Sequence, residues 1–124
     1  MKVFMVLGTL NAFLSIALGA FGAHGLKDKL SAKYLDIYQT GVHYHMIHAL
    51  GLVIVGILYM TLNKNQPVLM TWTGWLMFAG IVLFSGSLYV LSLTKVSVLG
   101  AITPLGGLCF LASWLLLTIA IIKA

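Results

Sequence analysis

The chain has 124 residues, of which 61% are hydrophobic and 7% are charged, and its mean hydropathy is +1.09. Soluble domains carry about 25% charged residues, so this composition excludes an ordinary water-soluble domain and predicts one integral membrane domain, residues 1–124. The net charge of +5 comes from lysines at the ends of apolar stretches. This placement favours contact with lipid headgroups and argues against nucleic-acid binding, which needs a basic groove with interleaved aromatic residues.

Four apolar runs follow one another along the chain, each near the ~20 residues that a helix needs to cross a bilayer. They cover residues 3–23, 41–62, 70–93 and 97–122, here called spans 1 to 4. Hydrocarbon cannot pair an exposed backbone group, and the runs lack the alternation of barrel strands, so each span is predicted to be a helix. The short connections predict an all-α, up-down four-helix bundle.

Small residues recur along one face of span 1. Their spacings are four, three, four and three, and the residues are Gly8, Ala12, Ser15, Gly19 and Gly22. Such a pattern lets helix backbones approach closely in lipid, and Asn11 lies beside it, where its amide can hydrogen-bond across a helix interface. We expect Gly19 and Gly22 to be buried against another helix. The stripe can serve contacts within or between chains, and we expect a homo-oligomer.

The segment between spans 1 and 2, residues 26–40, is amphipathic when it is drawn as a helix. Its apolar side carries five residues, Leu26, Leu30, Tyr34, Ile37 and Tyr38. This pattern predicts a short interfacial helix that lies in the plane of the membrane surface. Two alternatives stay open: a solvated connecting helix, or a helix that Ser31 caps and that runs straight into span 2.

Spans 3 and 4 each contain one informative residue. Ser85 lies on one side of span 3 with Gly74 and Tyr89 and is a predicted polar contact at a helix interface. Pro104 in span 4 removes a backbone hydrogen bond. Either the helix kinks near Ala101, or Thr103 caps a helix that starts at Pro104.

The four histidines are the residues most suited to chemistry. His24 follows the glycines of span 1, while Tyr44, His45 and His48 share one side of span 2. A charged imidazolium is costly in hydrocarbon, so we expect His48 to be neutral, hydrogen-bonded and turned toward protein.

Two interpretations of these histidines follow. In the first, His24, Tyr44 and His48 are structural and satisfy backbone groups where span 1 ends. In the second, His24, His45 and His48 bind a metal, since imidazoles at i and i+3 can share one ion. No cysteine or carboxylate nearby completes a ligand set, so we prefer the structural interpretation and predict no cofactor.

Four blocks of sequence carry a resemblance to a known family. They are GAFGAHGL (19–26), HYHMIHALGL (43–52), LFSGSLYVL (83–91) and GAITPLGGLCFLASW (100–114). In this order they resemble the small bacterial membrane proteins typified by YwdK and YgdD, a family related to a small eukaryotic transmembrane protein. The resemblance covers nearly the whole chain. It implies a four-span helical protein of unknown function in the bacterial cytoplasmic membrane, and it carries over no catalytic residue.

The sequence contains little that would support catalysis. Its only carboxylates, Asp28 and Asp36, lie between spans 1 and 2, outside the predicted spans, so it lacks the intramembrane carboxylate typical of proton-coupled transport. It also lacks a phosphate-binding loop. We therefore interpret the chain as a non-enzymatic membrane component that assembles with itself, with lipids or with a partner that the sequence does not identify. The alternative is a small transporter, a channel or a metal- or cofactor-binding protein built on His24, His45 and His48.

Overall fold

The computed structural model of the chain describes residues 2–62 and 66–124. Every regular element in these ranges is helical, and four helical stretches are long and apolar enough to cross a membrane. The predicted all-α, four-span architecture is therefore confirmed. The connection expected around residues 63–69 lies partly outside the described residues.

Two of the spans are single helices and two are composite. Span 1 is α1 (Lys2–His24), and span 2 is α2 (Ala32–Leu62). The third span is built from α3 (Pro67–Gly80), a π-helical turn (Ile81–Ser85) and α4 (Gly86–Thr94). The fourth consists of a 3₁₀ turn (Ser97–Ala101) followed by α5 (Thr103–Lys123).

The bundle turns large apolar side chains outward and many small or polar ones inward. Phe13, Leu111 and Ile122 are 68%, 70% and 77% exposed. Among the described residues, five serine and threonine side chains are completely buried, namely Ser15, Thr73, Ser85, Ser92 and Ser113. A soluble monomer rarely exposes so much apolar surface. In lipid that surface is solvated, and small interior residues allow the helices to approach closely.

The α1–α2 pair is held at short range by the small residues of α1. A Cβ atom on Gly8 would lie 2.7 Å from the backbone nitrogen of Val53 and 2.8 Å from the carbonyl oxygen of Ala49. Gly22 is buried, as expected, against the ring of Tyr38, whereas Gly19 is only half-buried beside Val42. The stripe is thus used within the chain. The homo-oligomer stays a prediction.

The prediction of a separate interfacial helix over residues 26–40 is wrong. Residues 26–30 form turns, and α2 runs without a break from Ala32 to Leu62. Ser31 precedes this helix, and its hydroxyl accepts a 3.4 Å hydrogen bond from the Tyr34 amide, which is the capped, continuous alternative. The physical reason is Tyr38: it is buried and donates a 2.6 Å hydrogen bond to the Leu18 carbonyl, which holds the start of α2 against α1.

The fourth span starts a new helix instead of kinking. Ile102 is the residue before α5, and its carbonyl accepts hydrogen bonds from the amides of Leu105 and Gly106. Pro104 therefore lies in the first turn, where its missing N–H costs nothing. Thr103 does not cap the helix. Its hydroxyl lies 2.6 Å from the hydroxyl of Ser87 and joins α5 to α4.

The contact at Gly8 gives a testable consequence. We expect Gly8→Ala to lower the free energy of unfolding by about 1–3 kcal/mol, because the added methyl group meets backbone atoms of α2 that must move. Gly86→Ala is the matched control, since a Cβ there has no neighbour within 4 Å. Thermal unfolding of both variants in bicelles, followed by circular dichroism, measures the difference. Equal stability of the two variants would contradict the close α1–α2 packing.

Candidate functional site

A chain of side-chain hydrogen bonds crosses the interior of the bundle at His45. Its Nε2 lies 2.8 Å from Oδ1 of Asn11 on α1, and its Nδ1 lies 2.9 Å from the hydroxyl of Tyr89 on α4. Asn11 in turn donates from Nδ2 to the carbonyl of Leu7 at 2.7 Å. Asn11 therefore makes the contact across a helix interface that its position beside the small-residue stripe predicted.

The direction of these bonds follows from Asn11. Its amide nitrogen donates to Leu7, so its oxygen is the atom that faces His45. An amide oxygen can only accept, so Nε2 of His45 donates to Asn11; in the neutral ring Nδ1 then accepts from the Tyr89 hydroxyl. One imidazole thus links three helices.

His48, one turn further along α2, also has a hydrogen-bond partner at each ring nitrogen. Its Nδ1 lies 2.7 Å from the Tyr44 carbonyl, and its Nε2 lies 2.9 Å from the indole Nε1 of Trp114 on α5. A carbonyl only accepts and an indole N–H only donates, so Nδ1 carries the proton and Nε2 does not. The geometry thus matches the expectation of a neutral, hydrogen-bonded, buried His48. Phe110 stacks on the same ring at 3.4 Å between centroids.

A cavity of about 580 Å³ opens beside His48, between α2 and α5. His48 and Tyr44 contribute polar groups to its wall. The remaining lining residues are apolar or aromatic, namely Phe84, Pro104, Gly107, Leu108, Phe110, Leu111 and Trp114. The volume lies within the range of about 300–1,000 Å³ that is typical of small-molecule sites.

The π-helical turn of the third span shapes one wall of this cavity. Phe84 lies in that turn, and its backbone touches Gly106 of α5, where no Cβ atom would fit. Ser85, the next residue, donates a 2.8 Å hydrogen bond to the Gly41 carbonyl of α2. Ser85 therefore lies at a helix interface, where the sequence predicted it. Turns of this kind often occur at functional sites because they redirect side chains locally.

The other predicted site residues are distributed differently. His24 is exposed at the end of α1, and the turn after it is closed by hydrogen bonds from the Gly25 and Leu26 amides to the Phe21 carbonyl. Tyr44 contributes its carbonyl to His48 and its ring to the cavity wall. Within residues 2–62 and 66–124, no three His, Cys, Asp or Glu side chains are grouped to hold a metal ion.

Comparisons with known proteins give the family. Residues 18–107 match the model of a family described as a protein of unknown function, DUF423. The chain is 58% identical over 123 residues to the UPF0382 membrane protein YwdK of Bacillus subtilis, with 99% of this chain and 98% of that protein covered. A UPF0382 membrane protein of Staphylococcus epidermidis is 54% identical with the same coverage. No solved structure matches.

The chain belongs to the DUF423 family. The resemblance to small bacterial membrane proteins of the YwdK type is thereby confirmed. The names of the DUF423 relatives describe membrane proteins and give no activity. The function must therefore be argued from the geometry of this bundle.

The sequence alone does not identify the roles of three residues of this site. The sequence places Tyr89 on one side of span 3 and at a candidate membrane interface, assigns no role to Trp114, and offers His45 as a candidate metal ligand. A neutral histidine needs one donor and one acceptor among its neighbours. The number of histidines in span 2 therefore indicated that partners exist, but only the helix packing identifies them.

The bond between His48 and Trp114 can be measured by a double-mutant cycle. We expect His48→Ala to lower the free energy of unfolding by about 1–2 kcal/mol, and its coupling to Trp114→Phe to be about 0.6–1.7 kcal/mol. His43→Ala is the matched control, because His43 is exposed on the same helix. Unfolding equilibria of the variants in mixed micelles give these values. Strict additivity of His48→Ala and Trp114→Phe would contradict the bond.

Proposed function

We propose that the protein is a non-enzymatic component of the bacterial cytoplasmic membrane that binds an apolar molecule from the bilayer in the cavity between α2 and α5. The observation that carries this proposal is the cavity itself, which measures about 580 Å³ and is lined mainly by aromatic and aliphatic side chains. Leu108 and Leu111 in its wall are 63% and 70% exposed. Their exposure supports direct entry from the surrounding lipid.

The polar atoms of the cavity support binding more than catalysis. Both ring nitrogens of His48 are occupied by Tyr44 and Trp114, so the imidazole has no free nitrogen to act as a base on a bound molecule. A general base must reach the proton that it removes. The two aspartates, Asp28 and Asp36, are exposed and do not line the cavity: Asp28 lies in the turn before α2, and Asp36 lies two turns before Tyr44 on α2.

A variant that fills the cavity tests this function. A Cβ on Gly107 would meet only the Phe84 ring, at 3.9–4.0 Å, so Gly107→Leu can fold while its side chain occupies the cavity. In nanodiscs that contain a phospholipid with a photoactivatable acyl chain, we expect adducts on the peptide 104–114 of the parent protein. Gly107→Leu should lose most of them.

Gly86→Leu is the matched control, since it adds the same side chain at an open helical position outside the cavity. It should keep the labelling of the parent. If Gly107→Leu and Gly86→Leu are labelled equally on this peptide, the acyl chain lies on the outer surface and the cavity is not its site.

The second candidate function, a metal or cofactor site on His24, His45 and His48, makes the opposite prediction about metal removal. Under our proposal, we expect EDTA to leave the melting temperature unchanged and added zinc to have no effect, because the hydrogen bonds of His45 and His48 do not depend on an ion. Differential scanning calorimetry of the purified protein measures this. A melting temperature that falls with EDTA and recovers with zinc would favour the metal site instead.

A further inference from the structure

Two lysines from different spans meet at one end of the bundle. Lys33 lies in the first turn of α2, and Lys95 follows α4 in a left-handed backbone conformation with φ of 60°. The Nζ atoms of both lie 5.5 Å from the ring centroid of Tyr34. Both lysines are exposed, so their ammonium groups, each beside the Tyr34 ring, are open to a phosphate group at the membrane surface.

This end of the bundle is positively charged as a whole. Lys27, Lys29, Lys33 and Lys95 lie on it, and they outnumber Asp28 and Asp36, which are the only acidic residues of the chain. Basic residues at a membrane surface attract anionic headgroups. Lys33 and Lys95 differ from the other two lysines because they share one aromatic side chain.

The axial distance between the lysine pair and the cavity is close to the hydrocarbon thickness of one leaflet. Lys33 precedes Tyr44 by eleven residues, which is about three helical turns, so both residues lie on the same face of α2. Their axial separation is about 16 Å at 1.5 Å per residue. One leaflet of a bilayer contains about half of a hydrocarbon thickness of ~30 Å. A lipid with its headgroup at Lys33 would therefore extend an acyl chain to the level of Tyr44 and the cavity.

We propose that the cavity and the lysine pair form one binding site for an anionic phospholipid. The headgroup phosphate lies between Lys33 and Lys95, and one acyl chain runs along α2 into the cavity bounded by Tyr44, Phe110 and Trp114. This assignment rests on the proposed function and adds the class of ligand to it. Lys33 and Lys95 supply the preference for negative charge, and the apolar cavity supplies the place for the chain.

The experiment compares two photoactivatable phospholipids that differ only in the headgroup, phosphatidylglycerol and phosphatidylcholine, each in nanodiscs of otherwise equal composition. We expect the parent protein to be labelled preferentially by phosphatidylglycerol on the peptide 104–114. Lys33→Gln and Lys95→Gln should each reduce that preference about five-fold, which corresponds to the ~1 kcal/mol of one lysine near an anionic surface.

Lys27→Gln is the matched control. It removes the same charge from the same end of the bundle, but Lys27 lines a different cavity with Gly22 and Gln39. It should leave the preference close to that of the parent. A similar loss in Lys27→Gln would show that only the general surface charge matters, and it would overturn the lysine-pair site.

The outcomes of this experiment separate a failure of the anionic-lipid assignment from a failure of the proposed function. If both lipids label the cavity peptide equally in the parent, the anionic-lipid assignment fails while cavity binding stands. If Gly107→Leu is labelled like the parent by both lipids, the proposed function fails and the assignment fails with it. If the peptide instead forms adducts with a second copy of the chain under an amine-independent photo-crosslinker and excludes both lipids, the occupant is a protein surface and the assignment is overturned.

Discussion

The hydrocarbon interior of a bilayer offers no water to a buried polar group, and this constraint organises the bundle around α2. His45 pairs with Asn11 of α1 and Tyr89 of α4, while His48 pairs with Trp114 of α5. Two imidazoles on neighbouring turns therefore connect α2 to every other span. Within the described residues, no buried side-chain nitrogen or oxygen lacks a partner. An unpaired group in such surroundings would cost several kcal/mol.

These hydrogen bonds depend on the close packing of the helices, and the packing depends on small residues. Asn11 stands one turn after Gly8, whose contact with Ala49 and Val53 brings α1 against α2. With a larger residue at position 8, the 2.8 Å bond between Asn11 and His45 would lengthen. On the other side of α2, Gly106 brings α5 against the π-helical turn at Phe84. Close approach of the helices thus brings the hydrogen-bonding side chains within reach of one another.

The features that can be predicted from the sequence are those that depend on neighbouring residues in the chain. Each of the four spans is a long apolar run, and the contacts of Asn11 and Ser85 follow from polar residues placed on helix faces. The prediction of a separate interfacial helix was wrong because an amphipathic pattern does not indicate where a helix ends. The segment 32–40 is amphipathic, but it forms the first part of the continuous helix α2. Partners from distant spans, such as Trp114 for His48, depend on how the helices rotate against one another. The cavity depends on the same rotations and on a π-helical turn that has no clear sequence signature.

The cavity lies nearer one end of the bundle than the other, so the two leaflets of the membrane have unequal access to it. Its lining residues come from α5 (residues 104–114), from Phe84 of the π-helical turn and from Tyr44 and His48 of α2, nearer the end of the bundle that carries Lys33 and Lys95. At the other end, Lys2 and Lys123 lie at the outer ends of α1 and α5. A molecule that enters from the bilayer therefore comes from the leaflet next to the Lys33 end, because its chain reaches only about half of the hydrocarbon thickness. The orientation of the chain in the membrane then decides which leaflet supplies the ligand, and this links the topology of the bundle directly to its proposed function.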